Sequence, residues 1–224
     1  MKIICLFFML VLFSCNSGKT IEVETISNHI NALNVKQSNY GPEYIKYDAL
    51  AIEDSRTLLT YKITNYTDKT YYFNVEGYQK LAAKPEYIQI NNALLVITDK
   101  NGMPVVPKVS CPSISYDPAW LYSQYLGYKY PLDYKKNNFI IFPNQSLYFE
   151  WFVVLPFGNL LEGVNYSVIL DEQKKYFAQI LIGSTSNRKY ISRTDLRTIE
   201  ENNYEIFDGI LTSKNKIPVI IANP

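Results

Sequence analysis

Apolar and polar positions alternate with a period of two along much of the chain, and that period predicts strands rather than helices. Leu58 to Thr64 alternates, Asn65-Tyr66-Thr67-Asp68-Lys69 supplies turn chemistry, and Thr70 to Val75 resumes a strand. Tyr87 to Thr98 is a further β-rich run. It closes on Asp99-Lys100-Asn101-Gly102 before Val105-Val106, a hairpin pattern. Phe139 to Phe142, Ser146 to Leu155, Tyr166 to Leu170, Tyr176 to Ile182 and Ile217 to Ile221 complete the predicted strands. Thr194 to Asn203, with Leu196 and Ile199 three apart, predicts a short helix. Tyr204 to Ile221 reads as a hairpin turning at Lys214-Asn215-Lys216, with Asp208-Gly209 as a competing turn. Short strands separated by turn signals predict a mainly β, antiparallel sandwich over residues 44–224 as a single domain. Residues 16–43 are polar. Their weak patch at Ile26, Ile30 and Leu33 predicts a tether holding at most one short helix.

Two segments depart from simple alternation. Ser146–Leu155 carries Leu147, Phe149, Trp151, Val153 and Leu155 on one face, and Tyr148, Glu150, Phe152 and Val154 on the other. A strand apolar on both faces predicts a cover on each, and the long 110–138 insertion is the expected cover of the second. That insertion holds the densest aromatic cluster: Tyr116, Trp120, Tyr122, Tyr125, Tyr128, Tyr130 and Tyr134. Asp117-Pro118 reads as a helix N-cap followed by an N1 proline, and Gly127 as the residue past the helix end. Tyr and Trp present rigid amphipathic area suited to recognition, and the same rings can stack on sugar faces. Tyr116, Trp120, Tyr122, Tyr125, Tyr128 and Tyr130 are therefore the expected binding surface.

Composition narrows the chemistry. The 22 Lys and Arg against 21 Asp and Glu leave a net charge of +1, which argues against a nucleic-acid partner. The single histidine, His29, sits in the tether-like segment, away from any candidate nucleophile, and Cys111 reads as a small packing residue. Zinc sites want several His or Cys, so no metal is expected. Asp171-Glu172 and Glu200-Glu201 are adjacent pairs whose side chains diverge on a strand. Asp99, Asn101 and Gly102 resemble the start of a calcium loop but lack its later ligands, so a hairpin turn explains them better. With nine glycines and no phosphate-binding glycine pattern, no cofactor is expected. A hydrolase built on carboxylates alone is the weakest of the functional readings.

The N-terminus supplies an address. Lys2 precedes eleven apolar residues, Ile3 to Phe13, too short a run for the roughly 20 residues of a membrane-spanning helix. Leu12-Phe13-Ser14-Cys15 resembles the lipobox of bacterial lipoproteins. The resemblance implies removal of residues 1–14, a lipid on Cys15, and attachment to the cell envelope, outer membrane included. Cys5 would then leave with the signal and Cys15 become a thioether, so Cys111 remains as the sole thiol and no internal disulfide forms. Leu160, Gly163 and Tyr166 follow a strand with the spacing of the tyrosine corner of Greek-key sandwiches. Leu58–Val75, Phe142–Ser146 and Gly209–Ile221 resemble segments of bacterial Ig-like and fibronectin-III-like modules. Together these readings predict a lipid-anchored, non-catalytic module binding a protein partner (accessory, inhibitor-like or immunity-like). Glycan binding through the same aromatic rings is the alternative.

Overall fold

The computed structural model describes residues 20–33, 56–81, 84–90, 92–110, 137–155, 165–168 and 170–222. In chain order the first half contains β1 (Ile21–Thr25), β2 (Ile30–Leu33), β3 (Arg56–Asn65), β4 (Tyr71–Phe73), α1 (Val75–Leu81), β5 (Ile88–Ile90), β6 (Ala93–Asp99) and β7 (Lys108–Ser110). Then come β8 (Phe139–Ile141), β9 (Ser146–Val154), β10 (Asn165–Ser167), β11 (Tyr176–Ser184), α2 (Arg193–Glu201), β12 (Glu205–Ile206), β13 (Gly209–Thr212) and β14 (Ile217–Ala222). The protein is mainly β, as the alternating pattern predicts.

β3 is the centre of one sheet, ordered β1-β3-β9, with both neighbours antiparallel to it. Leu59, Tyr61 and Ile63 point inward and are fully buried. They meet the inner face of a second, larger sheet ordered β2-β14-β11-β6-β5. That face contributes Ile90, Leu95, Ile97, Ile180, Ile182 and Ile30 to the same continuous core. A third, small sheet, β12-β4-β8, joins this core through a run of rings. Phe207 stacks on Phe73 at 4.7 Å and Phe73 on Phe139 at 4.8 Å; Phe139 tilts against Phe149 at 5.1 Å, and Phe149 stacks on Tyr61 at 5.4 Å. Burial of such rings is the largest single driver of the fold at these positions.

Three sequence expectations are corrected. Residues 21–33 are not tether: they form β1 and β2, and bury Val23, Ile30 and Ala32. The pattern that matters there has a period of two, placing Ile30 and Ala32 inward, while Ile26 is exposed. The sheets are also not purely antiparallel, because β2 pairs with β14 and β12 with β4 in parallel. The C-terminal segment, finally, is no hairpin. β13 and β14 both lie antiparallel along the same side of β11, so the chain continues in one direction through residues 213–216. The step from Leu181 to Ala178 on β11 is matched by the longer step from Thr212 to Ile217, which makes this a bulge.

The polar links between elements are well satisfied. The Asn65 side-chain amide donates to the carbonyls of Lys69 at 2.7 Å and Phe142 at 3.2 Å, while its oxygen accepts from Thr67. The predicted turn at 65–69 and the turn at 142–145 are thereby fastened to each other. Asn74 opens α1: its side-chain oxygen accepts the Gly77 N–H at 3.1 Å, and its own amide N–H donates to Ser184 Oγ at 2.9 Å. Midway along that helix Tyr78 lies against β11 where Gly183 leaves room, since a Cβ on Gly183 would run into the ring.

Candidate functional site

The outward side of the β1-β3-β9 sheet carries the feature that packing leaves unexplained. Its registers place Lys62 opposite Glu24 and Tyr148, Thr60 opposite Glu150, and Leu58 opposite Phe152. Two chemistries divide this face along its length. At one end Glu22, Glu24, Lys62, Thr64, Tyr66, Lys214 and Asn215 line a shallow open groove of about 310 Å³. Lys62 Nζ contacts Glu24 at 2.9 Å, and Lys214 pairs with Glu22. The hydrogen bond from Lys62 holds the Glu24 carboxyl below the usual carboxylate range and raises Lys62 in return. Such exposed pairs fix side-chain directions more than they stabilise.

The other end is apolar and open. Leu58 is 44% exposed and its register partner Phe152 54%, while Tyr148, 64% exposed, stands on β9 beside Lys62 at the charged end. Nearby Ile26 is also exposed, its amide donating to the Thr60 carbonyl. The Arg56 guanidinium lies 4.8 Å over the Phe152 ring, covering part of one face of it. Adjacent exposed apolar side chains on one sheet face mark an interaction surface more often than scattered ones do. Inward, Val23, Leu59, Tyr61, Ile63 and Val153 are buried, and Leu147, Phe149 and Trp151 of β9 are half-buried against the same core. The face the sequence expects to be covered is exposed at Tyr148 and Phe152, and of the expected cover, 110–138, residues 111–136 lie outside the described residues.

The two edges of this sheet are treated differently. At the β1 edge, the side-chain amide of Asn215 accepts the Thr25 N–H at 2.9 Å and donates to the Thr25 carbonyl at 2.7 Å, as a strand neighbour would. Val23 bridges to Ser213, and its carbonyl accepts the Lys214 N–H at 2.9 Å. The bulge between β13 and β14 thus serves to close that edge. At the β9 edge no strand pairs among the described residues; its one tie is the bridge from Leu155 to Ala32, beyond the strand's end.

Of the residues singled out in the sequence, Cys15, Tyr116, Trp120, Tyr122, Tyr125, Tyr128, Tyr130, Leu160, Gly163 and Cys111 lie outside the described residues. Tyr166 falls in β10, its backbone opposite Val109 of β7. His29 is half-buried in the connection between β1 and β2. Asp99 is a turn residue whose carboxylate accepts the N–H groups of Asn101 at 2.8 Å and Met103 at 2.9 Å, with Gly102 at a φ of +83°. Asp171 closes a similar turn onto Gln173, while Glu200 on α2 pairs with Arg188 at 2.8 Å. No group of three or more His, Cys, Asp and Glu positioned to hold a metal occurs among the described residues. Sequence reasoning missed the β3 contribution to the outer face. The available signal was Leu58 itself, an apolar residue at an otherwise polar register. No known protein family, curated protein or solved structure matches the chain.

Proposed function

We propose that the chain is a non-catalytic binding module of the bacterial cell envelope, held to the membrane by a lipid on Cys15, that engages a protein partner through its outer sheet face. The scaffold fits an Ig-like arrangement in which one sheet presents its solvent side. One observation carries the reading: Leu58 and Phe152, opposite each other in the register of β3 and β9, stand half in water on the outer face, with Tyr148 exposed farther along β9 beside Lys62. Leaving Leu58 and Phe152 about half in water forgoes on the order of 1 kcal/mol of burial for each, which a partner would recover. The flanking charged groove supplies a polar rim of the kind that surrounds such centres.

The test uses the full chain captured from solubilised envelope. Leu58→Thr combined with Phe152→Thr is expected to cut co-purification of a partner at least tenfold at unchanged melting temperature. Arg197→Ala on the exposed side of α2 is expected to leave it intact. Cys15→Ala moves the chain out of the membrane fraction. Capture that survives the double substitution, or is lost equally in Arg197→Ala, overturns the proposal.

A further inference from the structure

The backbone of β9 offers a second, directional feature that deepens this reading and rests on it. Thr60 of β3 turns both its backbone groups toward β1: its N–H donates to Ser27 Oγ at 2.8 Å and its carbonyl accepts the Ile26 N–H at 2.9 Å. Asn65, an odd position, turns the other way, donating to the Gln145 carbonyl at 3.0 Å and accepting from the Asn144 N–H at 2.8 Å. Backbone direction alternates along a strand, so the odd residues of β3 bond to β9 and the even ones do not. Thr60 faces Glu150 in the register. The N–H and C=O of Glu150, and by the same alternation those of Tyr148 and Phe152, therefore point away from β3 toward the edge that no strand among the described residues pairs.

The residues whose backbone groups face outward are also those whose side chains stand exposed on the outer face. Exposed edge strands are normally blunted by shortness, lysine, proline or a bulge. β9 runs nine residues in unbroken register with β3, and its sequence, Ser-Leu-Tyr-Phe-Glu-Trp-Phe-Val-Val, contains no lysine, proline or glycine. The same sheet closes its β1 edge with the side chain of Asn215.

We infer that β9 is a strand-docking edge, to which an extended segment of a protein partner adds as a fourth strand beside Tyr148, Glu150 and Phe152. Added strands gain affinity from main-chain hydrogen bonds and specificity from alternate side chains. Glu150 is the one charge on β9, so the segment that fits carries a basic residue opposite Glu150 and apolar residues opposite Tyr148 and Phe152. A second copy of this chain fits poorly. Antiparallel pairing centred on Glu150 sets that carboxylate against its own copy, and like charges directly opposite destabilise a sheet.

The experiment follows amide exchange by NMR in the full chain in detergent micelles. In the free chain the amides of Tyr148, Glu150 and Phe152 are expected to exchange at least tenfold faster than those of Leu147, Phe149 and Trp151. The probe is a capped peptide, Thr-Val-Thr-Lys-Thr-Val-Thr, at millimolar concentration. It is expected to protect those three amides selectively. Replacing its lysine by glutamate should weaken binding at least fivefold, and Glu150→Lys should reverse that preference. Four results overturn the inference: the three amides already slow in the free chain, protection that rises only with chain concentration, protection elsewhere or nowhere, or a charge swap without effect. If partner capture still depends on Leu58 and Phe152 while the edge stays inert, strand addition falls and the binding-module reading stands.

Discussion

Tyr61 shows how far one side chain's surroundings can be turned into a measurement. Its ring is wholly buried in the core beneath β3 and stacks on Phe149, yet its hydroxyl has no well-formed hydrogen bond. Burial pushes the phenol well above its ordinary value near 10, with the backbone of Asn92 pulling weakly the other way. Tyr72 is displaced in the same direction, by burial first and then by the Asp195 carboxylate beside it. Because the folded chain holds these protons more tightly than the unfolded one, the associated stability is fully present below about pH 10. It is lost as pH rises above that, with a slope of at most about 1.4 kcal/mol per pH unit for each group. Urea unfolding between pH 8 and 11 should show this decline, and Tyr61→Phe should make it shallower. At neutral pH the same substitution is expected to leave stability unchanged or raise it by up to about 1 kcal/mol, since it deletes a buried group lacking a partner. A clear loss at pH 7 would mean that the hydroxyl is well bonded. Asn65 and Asn215 are the opposite case, their amides filled by backbone partners that a sequence cannot name.

Among the elements, the ones whose burial follows from their own pattern were legible, and the ones whose burial depends on a distant partner were not. β3, β9 and β11 repeat the period of two over nine or ten residues, and their inward sets are those the alternation selects. α2 follows from Ser192, whose side chain accepts the Asp195 N–H at 3.0 Å, and from Leu196 and Ile199 turned toward Tyr72 and Ile191. α1 was not legible: Thr70–Val75 reads as strand, and only the Asn74 cap, completed by Ser184 110 positions away, explains why a helix starts there. Its docking gives a sharp prediction. Gly183→Ala puts a methyl into the Tyr78 ring rather than against a flexible chain end, so we expect a loss of about 1–3 kcal/mol in denaturant unfolding. Tyr78→Ala in the same chain should recover part of it, with the two changes failing to add by about 1 kcal/mol or more. Strict additivity would show that the ring does not lie over Gly183.

For the whole molecule the decisive segment is the one that composition hides. Residues 20–33 are polar enough to read as tether, and the outward half of β1 is indeed Glu22 and Glu24. What the sequence does not display is that the remaining positions fill both sheets at once. Val23 enters the core beside β3, while Ile30 and Ala32 enter it from β2, paired in parallel with the last strand of the chain. Parallel pairing of distant segments leaves no local turn signal, so neither hairpin nor loop chemistry announces it. A chain beginning at residue 44, the domain start that alternation predicts, would lose these three buried side chains. It would also strip a neighbour from β3 and from β14, exposing two inner edges. The apolar loss alone is several kcal/mol, comparable to the whole stability of a typical domain. We therefore expect that shortened chain to lack a cooperative thermal transition, and a chain beginning at residue 20 to keep one, both followed by circular dichroism with a β-type spectrum for the folded form. A cooperative transition in the shorter chain would return residues 21–33 to the role of a linker and remove the closed β1 edge from the contrast with β9.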